Sequence, residues 1–441
     1  MAGSYLKQML LQWLVVLPCE VQRMDQPPLS RPSHELSQTP PRNAEFPSDV
    51  RASIDEATAA ANALHTQSNG KHRSPKWPGK SDLYIFRTDG MSCARETVEA
   101  SGCLSFGHPS SQQLLLVWHQ RPKCALVLKK LDDVNLKEFI EALRHLALDE
   151  HLTVVVEPHE YDKLTALGID FVNTYTEEEG KRLQTYVDFV VCLGGDGVIL
   201  HASFLFQSAV PPIVSFNLGS LGFLTNHHYT SFQKDLSDVM NGSERLDQCM
   251  PDDPEAKGVH ITLRMRLECT IMRKGLRDQG EPVEVLNEVV VDRGSGPYLT
   301  KIECWERDHL ITKVQADGVM LATPTGSTAY SVAAGGSMVH PNVSAILFTP
   351  ICPHSLSFKP VVMPDYTEIE LRISDDARCG AWVCFDGKRR QELQRGDAVA
   401  VRMSCNPVPT VSRNDQTVDW FGSLERCFSW NERPEQKALQ F

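Results

Sequence analysis

The chain has 441 residues, enough for two or three domains at ~150 residues each. Apolar residues make up 41% and charged residues 23%, which excludes a chain disordered throughout. Forty-four Lys and Arg face 56 Asp and Glu, giving a net charge of −12 and a pI near 5.7. That balance excludes the broad basic footprint of a nucleic-acid binder but leaves room for a local basic pocket. Thirteen cysteines occur without a single CxxC, so zinc ribbons and thioredoxin-type redox motifs are excluded. Cys192, Cys304 and Cys384 have apolar neighbours and read as core thiols of a reducing compartment.

At the N-terminus, Leu10 to Leu17 is apolar apart from Gln12. It is far short of the ~20 residues of a membrane span. It resembles the apolar part of a signal peptide, but Cys19 after Pro18 offers no small-residue cleavage site. We therefore expect a cytoplasmic protein with no membrane segment. Residues 1–100 read as a variable tail. Pro27 to Pro47 carries six prolines and few large apolar residues, too little apolar surface to offset the entropy of ordering. Arg31-Pro32-Ser33 and Arg73-Ser74-Pro75 resemble protein-kinase targets.

Residues 101–255 read as an α/β nucleotide-binding domain, with order beginning near Leu114. Short β-branched or apolar runs occur at Cys124–Leu128, Leu152–Val156, Asp188–Leu193 and Ile213–Phe216. Between and after them, helical spacing appears at Phe139, Ile140, Leu143 and Leu146, and at Phe232, Leu236, Val239 and Met240. Asn241-Gly242 stops the second helix. Strands alternating with helices predict a doubly wound parallel sheet. Residues 256–411 change to period two. Val259, Ile261, Leu263, Met265 and Leu267 alternate with polar neighbours, as do Ile369, Leu371 and Ile373, and Val399, Val401 and Met403. Such alternation predicts half-buried antiparallel strands, hence a mainly-β second domain. Residues 412–441 return to helical spacing at Trp420, Phe421, Leu424, Cys427 and Phe428. We expect this helix to pack back on the first domain.

Several familiar motifs are absent. No GxGxxG dinucleotide fingerprint, GxSxG elbow or HExxH helix occurs. Gly79-Lys80-Ser81 imitates the end of a Walker A loop, but Ser74 stands where its first glycine belongs. The positive signal is Gly194-Gly195-Asp196-Gly197, directly after the run Phe189–Leu193 and before a helical stretch. A glycine-rich turn there exposes backbone N–H groups that suit phosphate oxygens. A carboxylate beside a phosphate repels it unless a metal intervenes or the carboxylate takes a proton from an attacking hydroxyl. Asp196 thus reads as a general base, a metal-linked group, or the cap of a tight turn. A second polar cluster comprises Ala316-Asp317-Gly318 and Thr323 through Tyr330, including Thr325, Thr328 and Ala329. Its hydroxyls suit ribose, phosphate and base edges. Asn287-Glu288 would suit a vicinal diol.

These blocks resemble the NAD kinases, in their animal cytosolic form, over roughly Lys123 to Trp430. The resemblance rests on Gly194–Gly197, the run from Asn217 through Gly222 to Thr225, Asn287-Glu288, Asp317 through Tyr330 to Pro341, and Thr349–Leu356. It implies transfer of phosphate from ATP, with Mg²⁺, to the 2′-hydroxyl of the adenosine ribose of NAD. Asp196 would be the base, and Asn287 and Glu288 would hold ribose hydroxyls. Asp317 would meet the nicotinamide end, and Thr328, Ala329 and Tyr330 the adenosine. Thr325 and Asp386-Gly387 are further carry-overs. A homo-oligomer is implied, with NAD and ATP as the partners. Two positions depart from the family pattern: Val198 replaces a threonine, and Ala316 replaces a common glycine. Two rival readings follow: an NAD(P)-binding regulatory paralogue weakened at Val198, or a lipid kinase sharing only the GGDG turn.

Overall fold

The computed structural model describes residues 77–88, 93–98, 113–130, 135–219, 221–242 and 258–432. The apolar run at Leu10–Leu17, the proline-rich tail, both kinase-target triplets and Ser220 lie outside them. Among the described residues no helix is long and apolar enough to cross a membrane.

Two sheets organise the chain. In the first, a parallel run follows the order Val408–Val411, Ile213–Asn217, Phe189–Leu193, Cys124–Lys129, Thr153–Val156, Asn173–Thr174. The three central strands are buried at every position. Their Val, Leu, Ile and Phe side chains each contribute roughly 1.5–3 kcal/mol by leaving water. Helices Leu136–Arg144 and Phe232–Asn241 bury Phe139, Leu143, Leu236 and Val239 against this sheet. Gly242, at φ 81°, ends the second of them, as the Asn-Gly signal predicted. The fold class is the expected one: a doubly wound α/β domain joined to a mainly-β domain, whose sheet pairs are all antiparallel.

The domain limits differ from the sequence reading in two places. Leu83–Thr88 and Cys93–Val98, inside the stretch read as tail, form an antiparallel pair that extends the first sheet. Leu83 and Ile85 are buried there, a contribution the neighbouring proline-rich composition masked. The second difference is at Val259–Leu267, read as one alternating strand. Val259–Arg264 pairs with Val408–Val411 in the first sheet, whereas Leu267–Arg273 belongs to the second. The chain crosses between sheets at Met265-Arg266 and returns at residues 404–407. Both crossings are sewn together by Arg266, which is 0% exposed. Its guanidinium donates to the carbonyls of Asn406 (2.6 Å), Phe206 (2.7 Å), Ser208 (2.5 Å) and Ser203 (3.3 Å), and lies 3.5 Å from Glu284. A cation among the last carbonyls of helix Asp196–Leu205 also suits the negative end of its dipole.

Candidate active site

The first sheet creates the crevice. From the adjacent strands Cys124–Lys129 and Phe189–Leu193 the chain leaves in opposite directions, one toward Thr153–Val156 and the other toward Ile213–Asn217. Ligands of doubly wound sheets bind outside the carboxyl ends at such a switch point. The Gly194–Gly197 turn stands there. The N–H of Gly194 donates to Phe216 O (2.9 Å), and Leu193 O accepts from Lys130 N–H (3.2 Å). Gly194 has φ 145°, and a Cβ on it would lie 2.8 Å from Val198 Cγ2. Gly195 precedes the helix as its N-cap, and the Cβ positions of Gly195 and Gly197 face open space. Backbone there is bare and accessible, as phosphate binding at a helix N-terminus requires.

Asp196 is the first residue of the ten-residue helix and is half-buried. Its Oδ1 accepts from Leu224 N–H (3.0 Å), Thr225 N–H (3.2 Å) and Thr225 Oγ1 (3.1 Å). Among the described residues its Oδ2 accepts only from Phe223 N–H (2.9 Å). A carboxylate has about four acceptor positions, two per oxygen, so Oδ2 keeps one free. The loop it holds is fixed from the other side by helix Gln416–Phe428. Ser423 Oγ donates to Gly222 O (3.3 Å), Cys427 Sγ lies 3.5 Å from Leu221 O, and Phe428 packs on Phe223 with ring centroids 5.4 Å apart.

Val198 is 5% exposed and packs toward Gly194. A side chain so placed does not face a phosphate, so the missing hydroxyl leaves the exposed face of the turn unchanged.

The other sequence-derived residues gather in the second domain, with no hydrogen bond to Asp196 among the described residues. Asp386 sits in a tight turn with φ 45°. Its carboxylate accepts from the N–H groups of Leu286 (2.7 Å), Asn287 (2.8 Å) and Glu288 (3.1 Å). Burial raises its pKa to about 6, against the pull of those three N–H groups and Lys388. Glu288 is 1% exposed, and among the described residues neither carboxyl oxygen has a hydrogen-bond partner. Burial first, and then the Asp386 carboxylate, push Glu288 well above the usual carboxylate range. A buried carboxyl without partners costs several kcal/mol unless a ligand supplies them. The Asn287 amide forms no side-chain hydrogen bond among the described residues.

The Thr323–Tyr330 loop is laid directly on this pair. Thr323 N–H donates to Asn287 O (2.9 Å), and Thr323 Oγ1 donates to Leu286 O (2.5 Å). A Cβ on Gly326 would overlap the carbonyl of Asn287, so glycine is required for this approach. Thr328 Oγ1 donates to Thr325 O (3.3 Å), and both threonines are buried. Ala329 and Tyr330 are half-buried. Asp317 stands apart from Asn287 and Glu288, one-third exposed and paired with Arg293 Nε at 2.7 Å. Arg293 also donates to Gly296 O. Sequence reasoning missed Arg293 and Arg266, and it named Thr225 as the end of the Asn217–Thr225 run without giving it a role. None has a spacing signal for its contact, because each reaches its partner through the tertiary fold.

Comparison with known proteins gives the family. The model of the ATP-NAD kinase N-terminal domain matches residues 124–244, and that of the C-terminal domain matches residues 286–413. The chain belongs to the NAD kinase family. It is 55% identical over 410 residues to NAD kinase 2, chloroplastic, of Arabidopsis thaliana, covering 92% of this chain and 40% of that protein. It is 38% identical to an uncharacterized kinase of Schizosaccharomyces pombe, covering 68% of this chain and 76% of that protein. Among solved structures, the yeast NADH kinase complexed with NADH matches with a TM-score of 0.64 and 29% identity, covering 76% of this chain and 96% of that one. The chain thus spans well under half the length of its plant relative. These relatives are plant and fungal, so they support the family and lend nothing to the animal cytosolic subtype suggested by Thr349–Leu356.

Proposed function

We propose that the protein is an ATP-dependent NAD kinase that phosphorylates the 2′-hydroxyl of the adenosine ribose of NAD to give NADP. One observation carries this reading. The glycine-rich turn at the switch point presents a half-buried carboxylate, Asp196, with a single acceptor position left on Oδ2. That is the arrangement an attacking hydroxyl needs. The 2′-hydroxyl gives its proton to Asp196 Oδ2, its oxygen bonds to the γ-phosphorus, and the bond from phosphorus to the ADP oxygen breaks. The N–H groups of Gly195, Asp196 and Gly197, at the helix N-terminus, receive phosphate oxygens. Asn287 and Glu288 hold ribose hydroxyls, and those hydroxyls complete the unpartnered Glu288 carboxyl. Thr325, Thr328, Ala329 and Tyr330 line the adenosine side, and Asp317 the nicotinamide side. Most of the work is positioning, as in other phosphoryl transfers.

Among the described residues no three His, Cys, Asp or Glu side chains converge to hold a metal. ATP enters as its magnesium complex, which lowers the charge of the triphosphate. A homo-oligomer and a cytoplasmic address belong to the same proposal. The buried cysteines Cys124, Cys192, Cys269 and Cys304 are free thiols, which suits a reducing compartment.

The test is NADP formation from NAD by the full chain with MgATP, beside Asp196→Asn. The variant is expected to bind NAD within a few-fold of the original and to turn over about 10²–10⁴-fold more slowly. Unchanged turnover would remove Asp196 as the base. NADP binding without any turnover by the original chain would favour the regulatory-paralogue reading instead.

A further inference from the structure

The Asp196 carboxylate is held by a side chain with no assigned role. Thr225 is 0% exposed. Its Oγ1 accepts from Gly222 N–H (3.1 Å) and from Asn217 Nδ2 (3.1 Å). A hydroxyl has two lone pairs and one proton. With both lone pairs engaged, the proton has one direction left, toward Asp196 Oδ1 at 3.1 Å. Two backbone N–H groups already point at that oxygen. Oδ1 therefore faces three donors, and among the described residues Oδ2 carries Phe223 N–H alone. Asn217 is itself held, because its Oδ1 accepts from Gly219 N–H (2.5 Å).

We infer that Thr225, locked as a donor by Asn217 and Gly222, is a positioning residue that fixes the Asp196 carboxylate and reserves Oδ2 for the proton of the substrate hydroxyl. This rests on the reading of Asp196 as the base. A hydrogen bond donated to a carboxylate favours its charged form, so losing the hydroxyl makes protonation easier. The ionisable groups around Asp196 include Arg264, at the end of strand Val259–Arg264, Cys427 with Asp419 and Arg426 on helix Gln416–Phe428, and Lys130 beside Gly194. Burial lowers Arg264 to about 10 and raises the Cys427 thiol to about 11, so across the neutral range Arg264 stays charged and Cys427 stays a neutral thiol.

The experiment compares pH profiles of kcat and KM for the full chain, Thr225→Val and Thr225→Ser, with NAD and MgATP. Thr225→Val is expected to lower kcat at neutral pH by about 10-fold and to move the acid limb of the kcat profile up by about one pH unit. KM for either substrate should stay within about three-fold. Thr225→Ser, which restores the hydroxyl, should recover kcat to within about three-fold and return the acid limb to its original place. An unmoved limb in Thr225→Val, or a serine variant as poor as the valine, would overturn the inference. Should Thr225→Val not fold, Asn217→Ala serves. It frees the Thr225 hydroxyl to rotate and is expected to move the limb in the same direction, and an unmoved limb there is equally contrary. Asp196→Asn separates the two readings. If it keeps full turnover, the base assignment has failed. If it abolishes turnover while Thr225→Val leaves the limb in place, only the role of Thr225 has failed.

Discussion

Gly222 lies so close to Asp196 that a Cβ on residue 222 would overlap the carboxylate oxygen Oδ1. The backbone N–H groups of residues 223–225 reach Asp196 only because residue 222 has no side chain. Gly222→Ala should push the loop away and strip the carboxylate of donors. Overpacking of this kind costs roughly 1–3 kcal/mol. Turnover should fall by about 10-fold or more, while the melting temperature drops by only a few degrees. Steady-state kinetics beside thermal unfolding check this, and a variant with full turnover would refute the close approach.

Val198→Thr should be nearly silent. Residue 198 is buried against Gly194, so a hydroxyl there would point inward rather than toward phosphate. NADP formation is expected within about three-fold of the original chain, with a small loss of stability from the buried hydroxyl. A large gain in activity would show instead that the missing hydroxyl had disabled the turn.

The Asp386–Glu288 pair predicts a pH dependence of stability with a definite sign. Asp386 titrates near 6 in the folded chain, above its ordinary value of 3.8. Across that window the folded state binds more protons than the unfolded state, so stability falls as pH rises from about 4 to about 6. The loss from Asp386 is of the order of 3 kcal/mol when complete. Glu288, raised further by burial and by Asp386, extends the same trend upward. Thermal unfolding of the ligand-free protein between pH 5 and 7.5 should show a declining melting temperature, and Asp386→Asn should flatten it. A melting temperature that rises over this range would contradict the burial of both carboxyls.

Arg266 should matter to stability more than any surface arginine. Arg266→Met leaves Glu284 buried without its cation and frees four carbonyls. Removing one partner of a buried pair costs about 3–5 kcal/mol. Chemical denaturation should report a loss of that size, and Glu284→Gln added to Arg266→Met should recover part of it. A loss below about 1 kcal/mol would mean that the crossings between the sheets hold without the clamp.

Much of this molecule was legible in its sequence. The β-branched runs at Cys124, Thr153, Phe189 and Ile213 named the central strands, because strands buried on both faces must be apolar throughout. The glycines around Asp196 named the turn, because close backbone approach excludes a Cβ. Period two named the second sheet. What the sequence could not supply were relationships between residues far apart in the chain. Val259–Leu267 alternates without a break, yet it splits between two sheets, because a buried arginine fits the same alternation until its carbonyl partners are assembled around it. Glu288 and Asp386 are 98 residues apart, and burial of each, together with the Asp386 carboxylate beside Glu288, makes both carboxyls hard to ionise. Asp196 stands out in the sequence by its turn, but its carboxylate is held by Thr225, 29 residues away, whose hydroxyl proton has a single direction only once Asn217 and Gly222 have filled its lone pairs. The sequence by itself determined the elements and the chemistry available to them, since both follow from local residue type. The tertiary structure decided which groups are buried together and which lone pair stays free, since desolvation and hydrogen-bond direction exist only between parts already packed.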